Sequence, residues 1–415
     1  MKKILLLSAL LPNVMWAQVE MPFSALLPPE NEVRQSLEQH PMVQANQATM
    51  DYERANAQRL IQGEDPWQAR FALQQRRNNQ ANLNSVEQTM GLEKRLRLPS
   101  KVAMDKQLAQ TALSIAQLSR GDAWHEAAKI LLADWFAVSK AQANLQRIDE
   151  QLALLDKQLA VINKRISAGD APRLERLLVE QERAKLALQR QQQHAELAQQ
   201  QLNLQRYYRG QPLSYIDLSQ IASQLNLGDE QTWIKQVLAA NHELELAEEH
   251  SKRQDLHAQR VALENQPDPT LGITYSREQA GQENIMGLSV SVPLFNPAHK
   301  SLVNMAQAQA SQAHYQQQQM AQRLTQETKQ RLLSLSAAQQ QLQQAQDLVT
   351  QQQANSQLFA KAYQLGEVSI NDWLLSMRQY VEASQQRDLL KLSLAEDYSR
   401  LLVDSHLLWG LAEDE

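Results

Sequence analysis

The chain carries one unusual order of segments twice. In each copy a short alternating strand runs through a proline into a very long Ala-, Gln- and Leu-rich helix, and a glycine turn then leads into a returning helix. The landmarks keep nearly the same offset, because Gly366 follows Gly169 by 197 residues and Gly287 follows Gly91 by 196. Such an offset predicts an internal repeat, which fixes the architecture before any single residue is interpreted.

The repeat and its punctuation predict how the chain is organised. Each repeat is expected to hold a helix, two strands, a long helix and a returning helix in that order, and glycine and proline mark the linker between the repeats. The predicted segments are a signal peptide at 1–17, repeat 1 at 29–208, a linker at 209–228, repeat 2 at 229–408 and a tail at 409–415.

The N-terminus has the order of regions typical of a secretory signal peptide. Lys2 and Lys3 precede an apolar run at 4–11, and Ala17 offers a small residue for cleavage. The apolar run is too short to span a bilayer as a helix. A partly buried N-terminal segment is the alternative, because Met15 stands where a smaller residue is usual.

Composition narrows the classes of function. The absence of cysteine excludes disulfides, zinc thiolates, cysteine nucleophiles and a lipidated N-terminal cysteine. A net charge of −5 and a pI near 6.0 give no basic field for nucleic acid. No uninterrupted apolar stretch of about 20 residues occurs, so we expect no helical membrane span.

The long helices are expected to pack through heptad seams, which are typical of coiled coils. The helix from about 100 to 166 would be ~100 Å long at 1.5 Å per residue, so we expect an elongated molecule, with at most a kink at Gly121. The apolar positions at heptad spacing are Val138, Leu145, Leu152 and Leu159, then Ala141, Ile148, Leu155 and Ile162, and in repeat 2 Leu335, Ala338, Leu342, Ala345 and Val349.

Four segments alternate between apolar and polar residues with a period of two. Their lengths and two faces are those of tilted membrane strands, although Gln88 and Lys94 interrupt the apolar side of the second. A half-buried sheet in a soluble α+β protein is the alternative, and the leader and long helices favour the membrane. Because four strands are too few to close a barrel and lipid does not tolerate an open sheet edge, several chains would have to share one barrel. The apolar positions are Trp67, Ala69, Phe71 and Leu73; Val86, Met90, Leu92, Leu96 and Leu98; Leu271, Ile273 and Tyr275; and Met286, Leu288, Val290 and Val292.

This order of segments, given twice after a signal peptide, resembles the TolC family of outer-membrane efflux channels. The best-matching stretches are Val290-Ser-Val-Pro-Leu-Phe295 and Tyr363-Gln-Leu-Gly-Glu-Val-Ser-Ile-Asn-Asp372. Leu96-Arg-Leu-Pro-Ser-Lys101 is similar to the CzcC-like branch associated with heavy-metal efflux, except that Ser100 replaces the usual glycine. The resemblance implies a mainly α fold with a membrane β-barrel. Three chains of four strands would close one twelve-stranded barrel, and their helices would form a long periplasmic α-helical barrel.

The resemblance also implies a function. The protein would be a homotrimer in outer-membrane lipid that extends into the periplasm and forms the passive exit duct of a tripartite efflux system. Its partners would be a periplasmic adaptor (a membrane fusion protein) and an inner-membrane pump such as an RND transporter. The candidate cargos are heavy-metal cations, drugs, and peptides or proteins of type I secretion.

The family's tip residues carry over to single positions of this sequence. Val368 stands where relatives have an arginine, so packing rather than a salt bridge is expected to close the entrance. The tip glycines also fit simple helix C-caps, and Asp372 also fits a partner of the helix dipole. The resemblance implies adaptor docking at Gly169, Asp170, Gly366 and Ser369, and a tunnel constriction at Tyr363, Asp372, Trp373 and Leu375.

No motif indicates an enzyme, a cofactor or a metal site. Walker, dinucleotide and HExxH motifs do not occur. His242, Glu245, Glu249 and His250 share one helical face, but Leu246 lies in the middle of that face and favours packing over coordination. From another class of function, a secreted periplasmic coiled-coil scaffold without a pore stays open as the alternative.

Overall fold

The computed structural model describes residues 23–79, 83–211, 218, 225–294 and 296–409. The predicted signal peptide, Phe295 and parts of the predicted linker and tail lie outside the described residues. The predicted order of elements occurs twice, with two helices rather than one before each strand pair. The elements are α1 (Glu30–Glu38), α2 (Pro41–Gln62), β1 (Gln68–Asn78), β2 (Leu83–Arg95), α3 (Pro99–Ser167) and α4 (Arg173–Gln205), then α5 (Glu230–Ala240), α6 (His242–Ala262), β3 (Thr270–Glu278), β4 (Glu283–Ser291), α7 (His299–Leu365) and α8 (Ile370–Asp404).

The described residues group into two compact units, and each unit draws on both repeats. The described residues of the turn unit lie within 23–34, 129–229 and 331–409. The sheet unit takes its residues from Gln35–Ala128 and Glu230–Gln330. The two repeats are therefore not two separate folding domains.

The four strands form one antiparallel sheet in the order β1-β2-β3-β4. Strands β2 and β3 belong to different repeats and pair directly, from Gln88 opposite Arg277 to Arg95 opposite Thr270. Among the described strands, β1 and β4 each have only one neighbour. The sheet therefore ends in two open edges within a single chain.

The register aligns the apolar side chains of all four strands on one face. Phe71 lies opposite Met90, which lies opposite Tyr275, which lies opposite Met286. The adjacent row consists of Ala69, Leu92, Ile273 and Leu288. These side chains are largely uncovered, since Phe71 is 73% and Leu288 is 86% exposed. A face of this kind needs an apolar environment that a single chain does not provide.

The two interruptions on the apolar face lie at its ends. Gln88 pairs with Leu73 and Arg277, whereas Lys94 pairs with Leu271. The two complete apolar rows lie between them. The ammonium of Lys94 donates to the Asp65 carbonyl at 2.5 Å and lies 5.6 Å from the centre of the Trp67 ring, so its charge is satisfied beyond the apolar rows.

Helix α3 runs unbroken through Gly121. A Cβ at this glycine would lie 3.1 Å from the ring of His242, so the residue makes room for the start of α6. Most of the predicted seam positions are buried, among them Leu155, Ile162 and Leu335, each 0% exposed. In the described part of the chain, no helix combines the length and apolar character that a membrane span requires.

A buried ion-pair network holds the place where β2 passes into α3 beside the start of β3. Lys101 is fully buried, and its ammonium lies 3.0 Å from the carboxylate of Asp268 and 2.9 Å from that of Glu264. Asp268 also accepts a hydrogen bond from the Leu98 N–H at 2.9 Å. Burial alone would raise the pKa of Asp268, but the Leu98 N–H and Lys101 hold it below its ordinary value. Because the folded pKa is lowered, this contribution to stability is present above about pH 4 and is lost as the pH falls.

Arg97 extends the network to the end of α2. Its guanidinium donates to the carbonyls of Leu60 and Ile61, both at 2.7 Å, and so caps orphan carbonyls of the last helical turn. The same side chain pairs with Asp105, which also accepts from Arg260 on α6 at 2.8 Å. The ends of α2 and β2, the start of α3 and the end of α6 are thus tied by charged hydrogen bonds.

Lys101→Met tests the network. The substitution is expected to lower the free energy of unfolding by about 3–5 kcal/mol, because it removes the cation and leaves the Asp268 carboxylate buried. Denaturant unfolding in detergent measures the change. Lys106→Met, at an exposed position of the same helix, is the matched control and is expected to stay within about 0.5 kcal/mol of wild type. Equal losses in the two variants would contradict the role of Lys101.

Candidate functional site

The turn unit contains two helix–turn–helix connections with the same backbone geometry. Gly169 follows α3 with φ of +84°, and Gly366 follows α7 with φ of +78°. In the first turn the N–H of Asp170 bonds the carbonyl of Arg165, and in the second the N–H of Glu367 bonds the carbonyl of Ala362. Both turns are Schellman motifs, in which a left-handed residue ends the helix. Both tip glycines therefore cap the C-termini of their helices, as the alternative interpretation of their sequence predicted. Capping leaves open whether an adaptor also docks at these turns.

The helix after the second turn begins with a capping box. Ser369 is the N-cap of α8, and its hydroxyl accepts from the Asp372 N–H at 3.3 Å. The Asp372 carboxylate in turn accepts from the Ser369 N–H at 3.1 Å and from its hydroxyl at 2.7 Å. This reciprocal arrangement satisfies orphan N–H groups at the helix start. The Asp372 carboxylate is therefore engaged within its own turn.

The helix after the first turn begins differently, because its N-cap is Pro172, which makes no side-chain cap. Glu175 stands at the position of Asp372 in the repeat, but it has no capping hydroxyl to bind. Its carboxylate instead accepts a short hydrogen bond from the hydroxyl of Tyr363, near the end of α7. A side-chain hydrogen bond thus connects the two helical hairpins near their turns.

Arg165 completes this contact from the last turn of α3. Its guanidinium lies 5.1 Å from the centre of the Tyr363 ring and 3.8 Å from the Glu175 carboxylate. A cation over an aromatic face is attracted by the ring quadrupole. Arg165, Glu175 and Tyr363, together called the tip triad, therefore combine charge, hydrogen bonding and stacking.

An apolar cluster lies beneath the tip triad. Trp373 stacks on Tyr363 with ring centres 6.1 Å apart and planes 23° apart. Val368 packs against the cluster, so the residue at the position of a relative's arginine contributes apolar contact. The buried members are Leu155, Ile162, Val179, Leu186, Tyr363, Ile370, Trp373, Leu374 and Met377.

The structure brings the predicted constriction residues into one region but gives them different roles. Tyr363 and Trp373 are 3% and 8% exposed, so within one chain their rings are core residues. Asp372 is exposed and caps α8. Leu375 is 50% exposed and is the apolar member of the set that faces outward. Of the predicted docking residues, Gly169 and Gly366 have open space where a Cβ would stand.

Sequence reasoning left Arg165 and Glu175 out of the candidate site. The signal for Glu175 was available, because it lies 197 residues before Asp372. The sequence does not reveal that the two equivalent acids have different partners. Asp372 binds Ser369 in its own turn, whereas Glu175 binds Tyr363 of the other hairpin. Arg165 has Ala362 as its repeat counterpart, so the repeat gives no signal for it.

The face of α6 that carries His242, Glu245, Glu249 and His250 is expected from the sequence to pack rather than to bind a metal. Among the described residues, the His, Asp and Glu side chains with ligand atoms within 4.8 Å of one another are Asp122, Glu126 and Glu243. Glu243 forms an ion pair with Arg323. His242 instead packs on the ring of His125, with ring centres 6.2 Å apart.

Solved structures share this fold over nearly the whole chain. The outer-membrane channel OprN matches with a TM-score of 0.76 and 16% identity, covering 95% of this chain and 94% of that one. CusC, a protein studied for transmembrane channel formation, matches at 0.73 and 15%, covering 91% of each. The outer-membrane channel CmeC of Campylobacter jejuni matches at 0.70 and 13%, covering 90% and 84%. No protein-family model and no curated protein sequence matches the chain.

These likenesses confirm the predicted fold class. In its described residues the chain is mainly helical, has two structural repeats and one four-stranded sheet, and has the fold of TolC-like outer-membrane channels. The CzcC-like branch is not distinguished, because these three channels are similarly distant from the chain in sequence.

Tyr363→Phe tests the hydroxyl of the tip triad. Burial raises the pKa of Tyr363, and the hydrogen bond to Glu175 and its charge raise it further, against the opposing effect of Arg165. The pKa of Tyr363 in the folded protein lies above the unfolded value near 10. The contribution of its hydroxyl to the stability of the fold is therefore complete below about pH 10 and is lost as the pH rises. Tyr363→Phe is therefore expected to cost about 1.5–3 kcal/mol at neutral pH.

Thermal unfolding of both proteins from pH 7 to 11 measures this difference. The difference in unfolding temperature between wild type and Tyr363→Phe should become smaller toward pH 11. Other titrating groups, including Tyr208, are present in both proteins and cancel. A gap that stays constant with pH would mean that the hydroxyl does not act through its proton.

Proposed function

We propose that this protein is one subunit of a trimeric outer-membrane channel, the passive exit duct of a tripartite efflux system. The observation that carries the proposal is the sheet, which has one aligned and exposed apolar face, one polar face and two open edges. Lipid on the apolar face and neighbouring copies at β1 and β4 would satisfy all of these features. Three chains would then give a closed twelve-stranded barrel.

The shared fold of OprN and CmeC, both outer-membrane channels, supports this function. The proposed location is the outer membrane with extension into the periplasm, reached through the predicted signal peptide. The proposed partners are a periplasmic adaptor and an inner-membrane pump such as an RND transporter. Adaptor docking is proposed at the two glycine turns, with Gly169 and Asp170 in the first and Gly366 and Ser369 in the second.

The entrance of the duct is proposed to close through the tip triad and the apolar cluster beneath it. Tyr363 and Trp373 would act by holding the two helical hairpins together, and the outward Leu375 would narrow the passage. Asp372 would act indirectly, because its capping box fixes where α8 begins. Loss of the Glu175 contact would weaken the attachment of the two hairpins to each other near their turns.

Heavy-metal cations are the proposed cargo, with drugs and type I secretion substrates as the alternatives. The resemblance to the CzcC-like branch is the support, but Arg97 and Lys101 in its key stretch belong to the ion-pair network of the sheet unit. These residues therefore serve the fold whatever the cargo is. Susceptibility of a deletion strain to a panel of metals and drugs tests the cargo, and altered susceptibility to drugs alone would remove the metal proposal.

Fractionation tests the channel itself. The protein is expected to sediment with outer membranes, to dissolve only in detergent and to have the mass of a trimer by light scattering after subtraction of bound detergent. The uncovered apolar face and open edges give the physical reason. Recovery as a soluble periplasmic monomer would support the coiled-coil scaffold instead.

Glu175→Gln tests the closure. The substitution keeps the size of the side chain but removes its charge, which weakens the bond to Tyr363 and the attraction to Arg165. A loss of about 1.5 kcal/mol would raise the ratio of open to closed entrances about ten-fold. Planar-bilayer conductance measures this change. Glu180→Gln is the control, because Glu180 is exposed on the same helix and pairs with Arg176 at 3.0 Å. Unchanged conductance in Glu175→Gln would refute closure by the triad.

A further inference from the structure

The polar face of the sheet has a zone of small residues. In one row Arg70 lies opposite Gly91, which lies opposite Thr274, which lies opposite Gly287. The next row on this face consists of Ala72, Thr89, Ser276 and Ile285. Along these two rows, whose side chains the structure describes in full, Arg70 is the one charged residue.

Packing requires the small residues beside Arg70. A Cβ at Gly287 would lie 2.7 Å from the hydroxyl oxygen of Thr274, and one at Gly272 in the preceding row would lie 2.4 Å from the hydroxyl oxygen of Ser289. Larger residues at these glycines would force their neighbours to shift. Because its neighbours on this face are small, the Arg70 side chain is left uncovered and is 71% exposed.

The other arginines of this face are held by carboxylates. Arg76 lies 2.9 Å from Glu87 and 3.1 Å from Glu278. Arg95 lies 3.3 Å from the buried Asp268. Arg70 has only a loose partner, since its guanidinium nitrogen and the carboxylate of Glu93 are 4.0 Å apart. Its charge is thus the most available positive charge on the polar face of the described strands.

We infer that Arg70 is a residue that determines the ion selectivity of the duct and favours anions or anionic groups of a cargo. The inference rests on the proposed function, because closure of three sheets turns the polar face toward water and symmetry places three Arg70 side chains at one height. A ring of guanidinium groups attracts anions and repels cations. The inference therefore rests on the proposed channel and not on the metal cargo, since it favours the anionic members of the alternative cargos over free metal cations. Charged side chains in a water-filled passage act through space, so they need not narrow it.

Reversal potentials in planar bilayers under a KCl gradient test the inference. Arg70→Gln is expected to lower the permeability ratio of chloride to potassium about two-fold or more, because it removes three charges from one height. Arg70→Lys keeps the charge and should keep the wild-type ratio. Each Arg70 variant is also measured in combination with the Glu175→Gln substitution. The reversal potential then reflects the sheet rather than a closed entrance.

Arg77→Gln is the matched control. Arg77 is an exposed arginine of the same strand whose position in the alternation puts it on the opposite face from Arg70. The inference predicts no change of the ratio in this variant. An unchanged ratio in Arg70→Gln, or an equal change in Arg77→Gln, would overturn the inference while leaving a conducting channel. Absence of any conductance in the wild-type protein and in Glu175→Gln, together with recovery as a soluble monomer on fractionation, would instead overturn the proposed function, and the inference with it.

Discussion

The antiparallel pairing of β2 with β3 is the constraint on which the sheet unit depends. It joins strands from the two repeats and fixes the register that aligns every apolar row. A slip of one residue would turn the apolar side chains of one strand to the polar face. The ion-pair network around Lys101 stands at the end of this pairing, where Arg95 lies opposite Thr270. The network therefore secures the register at the point where strands give way to helices.

The two helix–turn–helix connections share one backbone conformation, but their side chains make different contacts. Both end a helix with a left-handed glycine and the same pair of backbone hydrogen bonds. The difference lies three residues further on, where Ser369 engages Asp372 but Pro172 offers Glu175 nothing to bind. A proline at the N-cap thus releases the longer acid to reach Tyr363. The asymmetry of the tip follows from one capping position.

The sequence predicted the repeated elements well because their signals are periodic and long. The long helix expected from about 100 to 166 is α3 at Pro99–Ser167, and all four alternating segments are strands. The site was harder to predict, because the role of Asp372 depends on a local cap and that of Glu175 depends on a residue 188 positions away. Arg165 gave no signal, since a basic residue in the last turn of a helix has many uses. In the sequence, Gln88 and Lys94 interrupt the apolar side of the second strand. Only the register of the sheet shows that both residues lie at the ends of the apolar face, outside its two complete apolar rows.

The open space around Gly169 and Gly366 affects how these turns can be recognised. With no side chain at the glycine and nothing within 4 Å of where a Cβ would stand, the apex of each turn presents peptide groups to the solvent. A protein that docks there would meet main-chain hydrogen-bonding groups, which every sequence with this turn supplies. Binding by shape and backbone tolerates sequence drift on both sides. Such a surface would let one channel of this fold accept several related partners, and would let the partners change without a matching change in the channel.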